Sequence, residues 1–344
     1  MLTLDGVLES LQPLLEQFRT AAAETDRSGR LPLWHLRELG RAGLYRLAVP
    51  LERGGLAAAP ELVWEVHESL AAACGSTHFV QAQHQGGLGF LLRGNPDLLQ
   101  EAYLTGERLC GVAFAHLRRP QSPVTVETTA DGWIFRGEAP WFSGWGLLDE
   151  VVLAGRDERG QDIYALVPLA QPSIEMRECP QLSAIQASAT VSLRLHELVV
   201  PKAALVLTQT LEEMARRDFR SQLGYTALPL GLVREAATFV ADERIRRCLE
   251  ERGAELRQRA LAWVDDPAEA LEIRASANLL ALQAAQAAVI SCGGQANQLQ
   301  HPANRLLRES SFYFLTQLNA PLRAVALEKL VPSSREQDWG RAFA

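Results

Sequence analysis

Asp131-Gly132-Trp133-Ile134-Phe135-Arg136-Gly137-Glu138-Ala139-Pro140-Trp141-Phe142-Ser143-Gly144 is a tight turn, then a strand, then an aromatic corner. Asp-Gly suits the turn because glycine tolerates the positive φ that such turns require. Val124-Thr125-Val126-Glu127-Thr128-Thr129 before it and Trp133-Ile134-Phe135-Arg136-Gly137 within it are rich in β-branched and aromatic residues, which favour a pleated surface. Segments 150–156, 163–168, 174–178 and 189–195 continue the series, broken by turns such as Asp157-Glu158-Arg159-Gly160. Short strands at this spacing predict a small antiparallel sandwich or barrel.

Outward from these strands the period changes. Leu4, Val7, Leu8, Leu11, Leu14, Leu15 and Phe18 recur three and four residues apart, as one buried helical stripe requires. Ser28-Gly29-Arg30-Leu31-Pro32 breaks that helix, and further helices are expected over 33–42, 60–74, 78–92 and 97–105, with Asn95-Pro96 as a stop. After about Leu207 the helical period returns, with breaks expected near Glu251-Arg252-Gly253, Asp265-Asp266-Pro267 and Cys292-Gly293-Gly294. The alanine-rich stretch 270–290 carries little charge, so it is expected to be surrounded on most sides, as in a bundle or an oligomer core. The predicted class is α+β: an N-terminal helical domain (1–110), a middle antiparallel β domain (111–205) and a C-terminal four-helix bundle (206–344), the helical blocks sharing one core.

With 344 residues, 47% hydrophobic and 22% charged, the chain has the composition of a globular protein of two or three packed regions. A net charge of −7 gives no electrostatic reason to expect nucleic acid. Cys74, Cys110, Cys179, Cys248 and Cys292 are scattered, with no CxxC pair, and read as buried fillers in a reducing, cytoplasmic setting. No metal site is expected, since the histidines form no HExxH or clustered-carboxylate pattern. The apolar stretches are interrupted too soon for a membrane span.

The turn 43–55, with Gly43-Leu44, Val49-Pro50 and Gly54-Gly55, resembles the N-terminal signature of acyl-CoA dehydrogenases. The segment 131–144 is similar to the middle-domain stretch of that superfamily, in which a Trp-x-Thr/Ser element ends beside the flavin. The resemblance spans about residues 28–325 and implies a flavin-dependent oxidoreductase acting on the CH–CH group of an acyl thioester, with FAD as cofactor. It implies that Trp141 packs by the isoalloxazine and Ser143 bonds a flavin edge. It also implies that backbone groups of Phe114, Ala115 and His116 face the cofactor, and that Arg244, among neighbouring arginines, reaches a pyrophosphate.

The family pattern is broken in three places. The flavin-facing stretch Gly111-Val112-Ala113-Phe114-Ala115-His116-Leu117-Arg118-Arg119-Pro120 lacks the Thr-Glu-Pro and Gly-Ser-Asp elements of relatives. The arginine-rich dimer loop lacks its Phe-Gly pair, which is compatible with FMN in place of FAD, or with no flavin. Phe314-Leu315-Thr316-Gln317 stands where many relatives carry a glutamate base. Trp141, Ser143, Gly144 and His301 fit the two-component flavin monooxygenases of this fold, in which His301 would move a proton or bind substrate. A third reading is a non-catalytic structural or binding homologue. The expected partners are a hydrophobic small molecule or acyl-CoA, an electron-transfer protein or flavin reductase, and further copies of the chain in a homodimer or homotetramer.

Overall fold

The computed structural model describes residues 3–119 and 121–331; Pro120 and the final part of the expected bundle, 332–344, lie outside the described residues. The N-terminal block comprises α1 (Leu4–Ser28), α2 (Leu33–Arg41), α3 (Pro60–Ala73), α4 (Gly75–Gly94) and α5 (Glu101–Thr105). Thr3 caps α1 through its side chain, and Gly29 closes it in the left-handed conformation at φ 63°. The signature turn after α2 is a packing device. A Cβ on Gly55 would lie 1.9 Å from the Val49 carbonyl oxygen, so only glycine fits.

Eight strands follow: β1 (Cys110–Ala113), β2 (Val124–Thr128), β3 (Gly132–Phe142), β4 (Glu150–Asp157), β5 (Asp162–Pro168), β6 (Ile174–Glu178), β7 (Val191–Pro201) and β8 (Leu205–Gln209). They form one sheet in the order β6-β7-β3-β2-β4-β5-β8, with β1 pairing β4 off this path. The expected antiparallel pairing holds along β6-β7-β3-β2 and β4-β5-β8, but β1 and β2 each run parallel to β4. The strands also continue beyond the expected boundary at 205, because Leu205–Gln209 pairs with β5.

The C-terminal block has six described helices: α6 (Leu211–Gly224), α7 (Ala227–Ala237), α8 (Glu243–Leu261), α9 (Pro267–Cys292), α10 (Pro302–Tyr313) and α11 (Ala320–Leu330). Helix α9 is the axis, packed by α6, α7, α8, α10 and α11. Among the described residues one stretch, Pro267–Asn297, is long and apolar enough by composition to cross a membrane. Its setting is a protein interior, with helices on five sides and a buried arginine, Arg274. The break expected at Gly253 is absent. That glycine is buried inside α8, facing Val233, and tertiary packing overrides its weak helix propensity. The expectation of five buried cysteines is also corrected, since Cys179 and Cys248 are exposed.

Candidate flavin site

The site forms where β3 meets the loop before β7. The register of β3 against β7 slips between Ala139 and Phe142, and within that bulge Trp141 takes φ +61° and is 60% exposed. Opposite it, Ile185 (φ 57°) and Ala189 (φ 48°) flank the short turn Gln186–Ser188. Three non-glycine residues in the left-handed region therefore converge on one corner. Such strain costs of order 1–3 kcal/mol per residue and concentrates at functional sites.

Ser143, buried, lies 2.7 Å from the Thr190 hydroxyl, which lies 2.7 Å from that of Ser188. The Gly144 N–H donates to the Ser188 carbonyl at 2.8 Å and fixes the corner. Gly144 has φ +102°, and a Cβ there would meet Leu148 at 2.4 Å. Arg308 on α10 braces the same loop from behind. It donates to the Ser183 carbonyl at 3.0 Å and grips Asp26 of α1 at 2.6 and 3.0 Å. An exposed flat aromatic wall beside a buried hydroxyl chain suits a planar, polar-edged ring such as a flavin.

The other expected residues are distributed differently. Ala115 is exposed, while His116 is buried with Nε2 donating to the Ala154 carbonyl at 2.9 Å. Burial pulls its pKa down to about 4, so it is a neutral residue that anchors its turn to β4. The Phe114 ring joins Phe90 and Tyr164 at centroid distances of 5.0 and 6.2 Å. Arg118 is engaged by Asp218 of α6 at 2.7 and 3.0 Å. Arg244 stands exposed on the first turn of α8, beside a shallow depression with Glu243, Arg247, Cys248 and Glu251. Helix α8 packs on α7 and α9, so this chain alone does not bring Arg244 to the Trp141 corner. His301 caps α10, its Nδ1 accepting from the Ala303 N–H at 3.2 Å. That places the proton of its neutral form on Nε2.

The sequence reading passed over Arg274, the lone cation in the middle of α9. It is fully buried and donates to the carbonyls of Tyr225 (2.6 Å) and Tyr313 (3.1 Å) and to the Thr316 hydroxyl (2.6 Å). Thr316 and Gln317 therefore form a fixed corner, with Gln317 at φ +54° and bonded to Ser221 at 3.0 Å. Glu309 pairs with Arg305 in the interior at 2.9 Å, and burial pushes its carboxyl upward against that pairing. An arginine isolated among alanines was the available sign. Among the described residues no group of histidines, cysteines or carboxylates could hold a metal ion. A cavity of about 620 Å³ lies in the N-terminal block, between Arg37, Arg46, Gly54 and Gly106.

No protein-family model matches the sequence. The chain is 26% identical over 199 residues to the short-chain specific acyl-CoA dehydrogenase, mitochondrial, of Mus musculus, a match covering 54% of this chain and 48% of that protein. The chain thus spans about half the length of the curated relatives it matches first. It is 36% identical over 77 residues to the oxygenase subunit HsaA of a flavin-dependent monooxygenase of Mycobacterium tuberculosis, covering 22% of this chain and 20% of that one. Among solved structures, butyryl-CoA dehydrogenase from Megasphaera elsdenii superposes with a TM-score of 0.79 at 14% identity, over 96% of this chain and 99% of that one. Dibenzothiophene monooxygenase from Paenibacillus sp. A11-2 gives a TM-score of 0.77 at 17% identity, over 94% and 97%.

Proposed function

From the acyl-CoA dehydrogenase fold of this chain, which resembles that superfamily as a divergent member, we propose that it is a flavin-dependent oxidoreductase whose isoalloxazine lies against Trp141. The observation that carries this reading is Trp141 itself, large, 60% exposed and held in a strained bulge beside a buried hydroxyl chain. Covering it with a planar ring removes apolar surface from water at about 25 cal/mol per Å². A bound flavin, FAD or FMN, supplies hydride acceptance or, once reduced, activation of oxygen.

The chain supplies the setting. Trp141 excludes water from one face of the ring, and Ser143, steadied by Thr190 and Ser188, offers a hydrogen bond to its edge. Backbone groups of Phe114 and Ala115 would bond the flavin, and His116 holds their turn in place. His301 exchanges a proton through Nε2, its free ring nitrogen. Arg244 meets a pyrophosphate from a second copy of the chain, in a dimer or tetramer whose contact includes the exposed Ile290 and Leu299.

Oxygenation of a hydrophobic small molecule, with flavin delivered by a separate reductase, is favoured over α-proton abstraction from an acyl thioester. Where relatives place a glutamate base, Thr316 is held by Arg274, and the nearby acid Glu309 is locked to Arg305.

Titration of the purified protein with FAD and FMN tests the proposal. Saturable binding of one of them by the wild type, weakened at least about tenfold (~1.4 kcal/mol) in Trp141→Ala, is expected. A wild type that binds neither sinks it and leaves the non-catalytic homologue. Anaerobic bleaching of the flavin by an acyl-CoA would replace oxygenation with dehydrogenation.

A further inference from the structure

Four basic residues and three aromatic rings meet where the end of α4, the turn Ala115–Arg118, β5 and α6 come together. The Arg93 guanidinium lies 4.7 Å from the centroid of Phe90, and that of Arg217 lies 4.8 Å from the same ring. Arg217 also lies 5.8 Å from the Phe114 ring and 5.9 Å from Tyr164. Phe90 stacks on Tyr164 with centroids 5.0 Å apart. Two cations thus share one aromatic platform.

The carboxylates that could neutralise them are engaged elsewhere. Asp162 is held by Arg156 at 2.7 and 3.3 Å, and Asp218 by Arg118 at 2.7 and 3.0 Å. Among the described residues neither Arg93 nor Arg217 has an ion-pair partner within 4.0 Å. Arg217 donates through Nη1 to Gln209 at 2.6 Å, while its Nη2 is buried with no acceptor. Burial and the neighbouring Arg217 charge together pull Arg93 down to about 10. Cation–π contact explains one arginine on a ring. It does not explain a like-charged pair with a buried N–H left without an acceptor, because both features cost stability unless an anion completes them.

We propose that Arg93 and Arg217 bind an anionic oxygen group, a phosphoryl or a carboxylate carried by the substrate, over the platform of Phe90, Phe114 and Tyr164. Arg93, exposed at the last turn of α4, meets the anion from the solvent side, and the half-buried Arg217 turns its fork outward so that Nη2 gains the acceptor it lacks. Phe114 belongs also to the turn assigned to the flavin, so the anionic end of the substrate would be held beside the cofactor. Its identity as substrate rests on the proposed flavin chemistry; the anion site itself does not.

The test uses flavin-free wild type, Arg217→Gln and Arg93→Gln. Inorganic pyrophosphate and succinate are titrated separately by calorimetry at constant ionic strength in sodium chloride. Saturable binding of at least one probe to the wild type, weakened about tenfold or more in each variant, is expected. Pyrophosphate alone would assign a phosphoryl group, and succinate alone a carboxylate. Thermal melting without probe adds an independent readout. Arg217→Gln is expected to melt no lower than the wild type, because its removal relieves a like-charge contact. No binding of either probe by the wild type, or equal binding by the exposed-site variant Arg93→Gln, overturns the proposal. Flavin titration of the same samples tests the oxidoreductase reading separately, so the two can fail independently.

Discussion

At Trp141 the backbone lies in a region where any Cβ crowds the neighbouring carbonyl, at a cost of roughly 1–2 kcal/mol. Trp141→Gly should therefore be about 1 kcal/mol more stable to urea than Trp141→Ala, while both lose flavin. Equal unfolding midpoints would show that the bulge is unstrained. Arg274 presents the opposite case, a buried guanidinium that supplies charged donors to two carbonyls and a hydroxyl. Arg274→Met should remove a charge-assisted bond from each of the carbonyls of Tyr225 and Tyr313 and cost about 3 kcal/mol in unfolding free energy, measured by urea denaturation. Neither role was visible in the residue itself. A tryptophan before Phe-Ser reads as core or as cofactor wall, and Arg274 shows its partners only once α7 and the turn after α10 are packed on α9.

At the scale of elements, α4 shows how a helix is tied down by neutral histidine. His84 accepts from the Cys110 N–H at 2.9 Å and donates to the Tyr103 carbonyl at 3.0 Å, joining α4 to α5 and β1. Burial lowers His84 and His116, like His35, to about 4. The unfolded chain, with histidine near 6.5, then binds more protons than the folded one below that pH. Stability held by these residues is fully present above about 6.5 and is lost as pH falls toward about 4. Urea midpoints measured from pH 7.5 to 4.5 should fall, and His84→Gln should flatten the slope; a pH-independent midpoint contradicts this assignment. In α8, Gly253 offers a gain. A Cβ there meets Val233 at 3.7 Å, an ordinary contact, so Gly253→Ala should raise stability by about 0.5–1 kcal/mol, read from its melting temperature.

At the scale of the whole molecule, Arg308 joins three parts of the chain. From α10 it reaches Asp26 on α1, the Ser183 carbonyl behind the Trp141 corner and the Leu299 carbonyl before its own helix. Arg308→Met keeps the aliphatic stem and removes these bonds. A loss of about 2 kcal/mol is expected, together with weaker flavin binding although no cofactor contact is altered. Unchanged flavin affinity in a folded Arg308→Met protein would show that the brace does not govern the corner. Arg244 lies exposed on α8, which packs on α7 and α9.

The α, β, α order and the aromatic corner could be read from the chain because periodicity and turn chemistry act over a few neighbouring residues. The interior position of α9 was equally legible, since so apolar a helix must be covered. The parallel pairing of β1 and β2 with β4, the extension of the sheet to Gln209 and the continuity of α8 through Gly253 were not, because each depends on partners far away in sequence. The site follows the same division. The sequence named Trp141 and Ser143, but only tertiary structure set Ser143 against Thr190, strained Ile185 and Ala189 around them, bonded His116 to β4 and tied one ring nitrogen of His301 to its own helix. Backbone conformation and the direction of a polar side chain are decided by the packing that surrounds them, and that packing exists only in the folded chain.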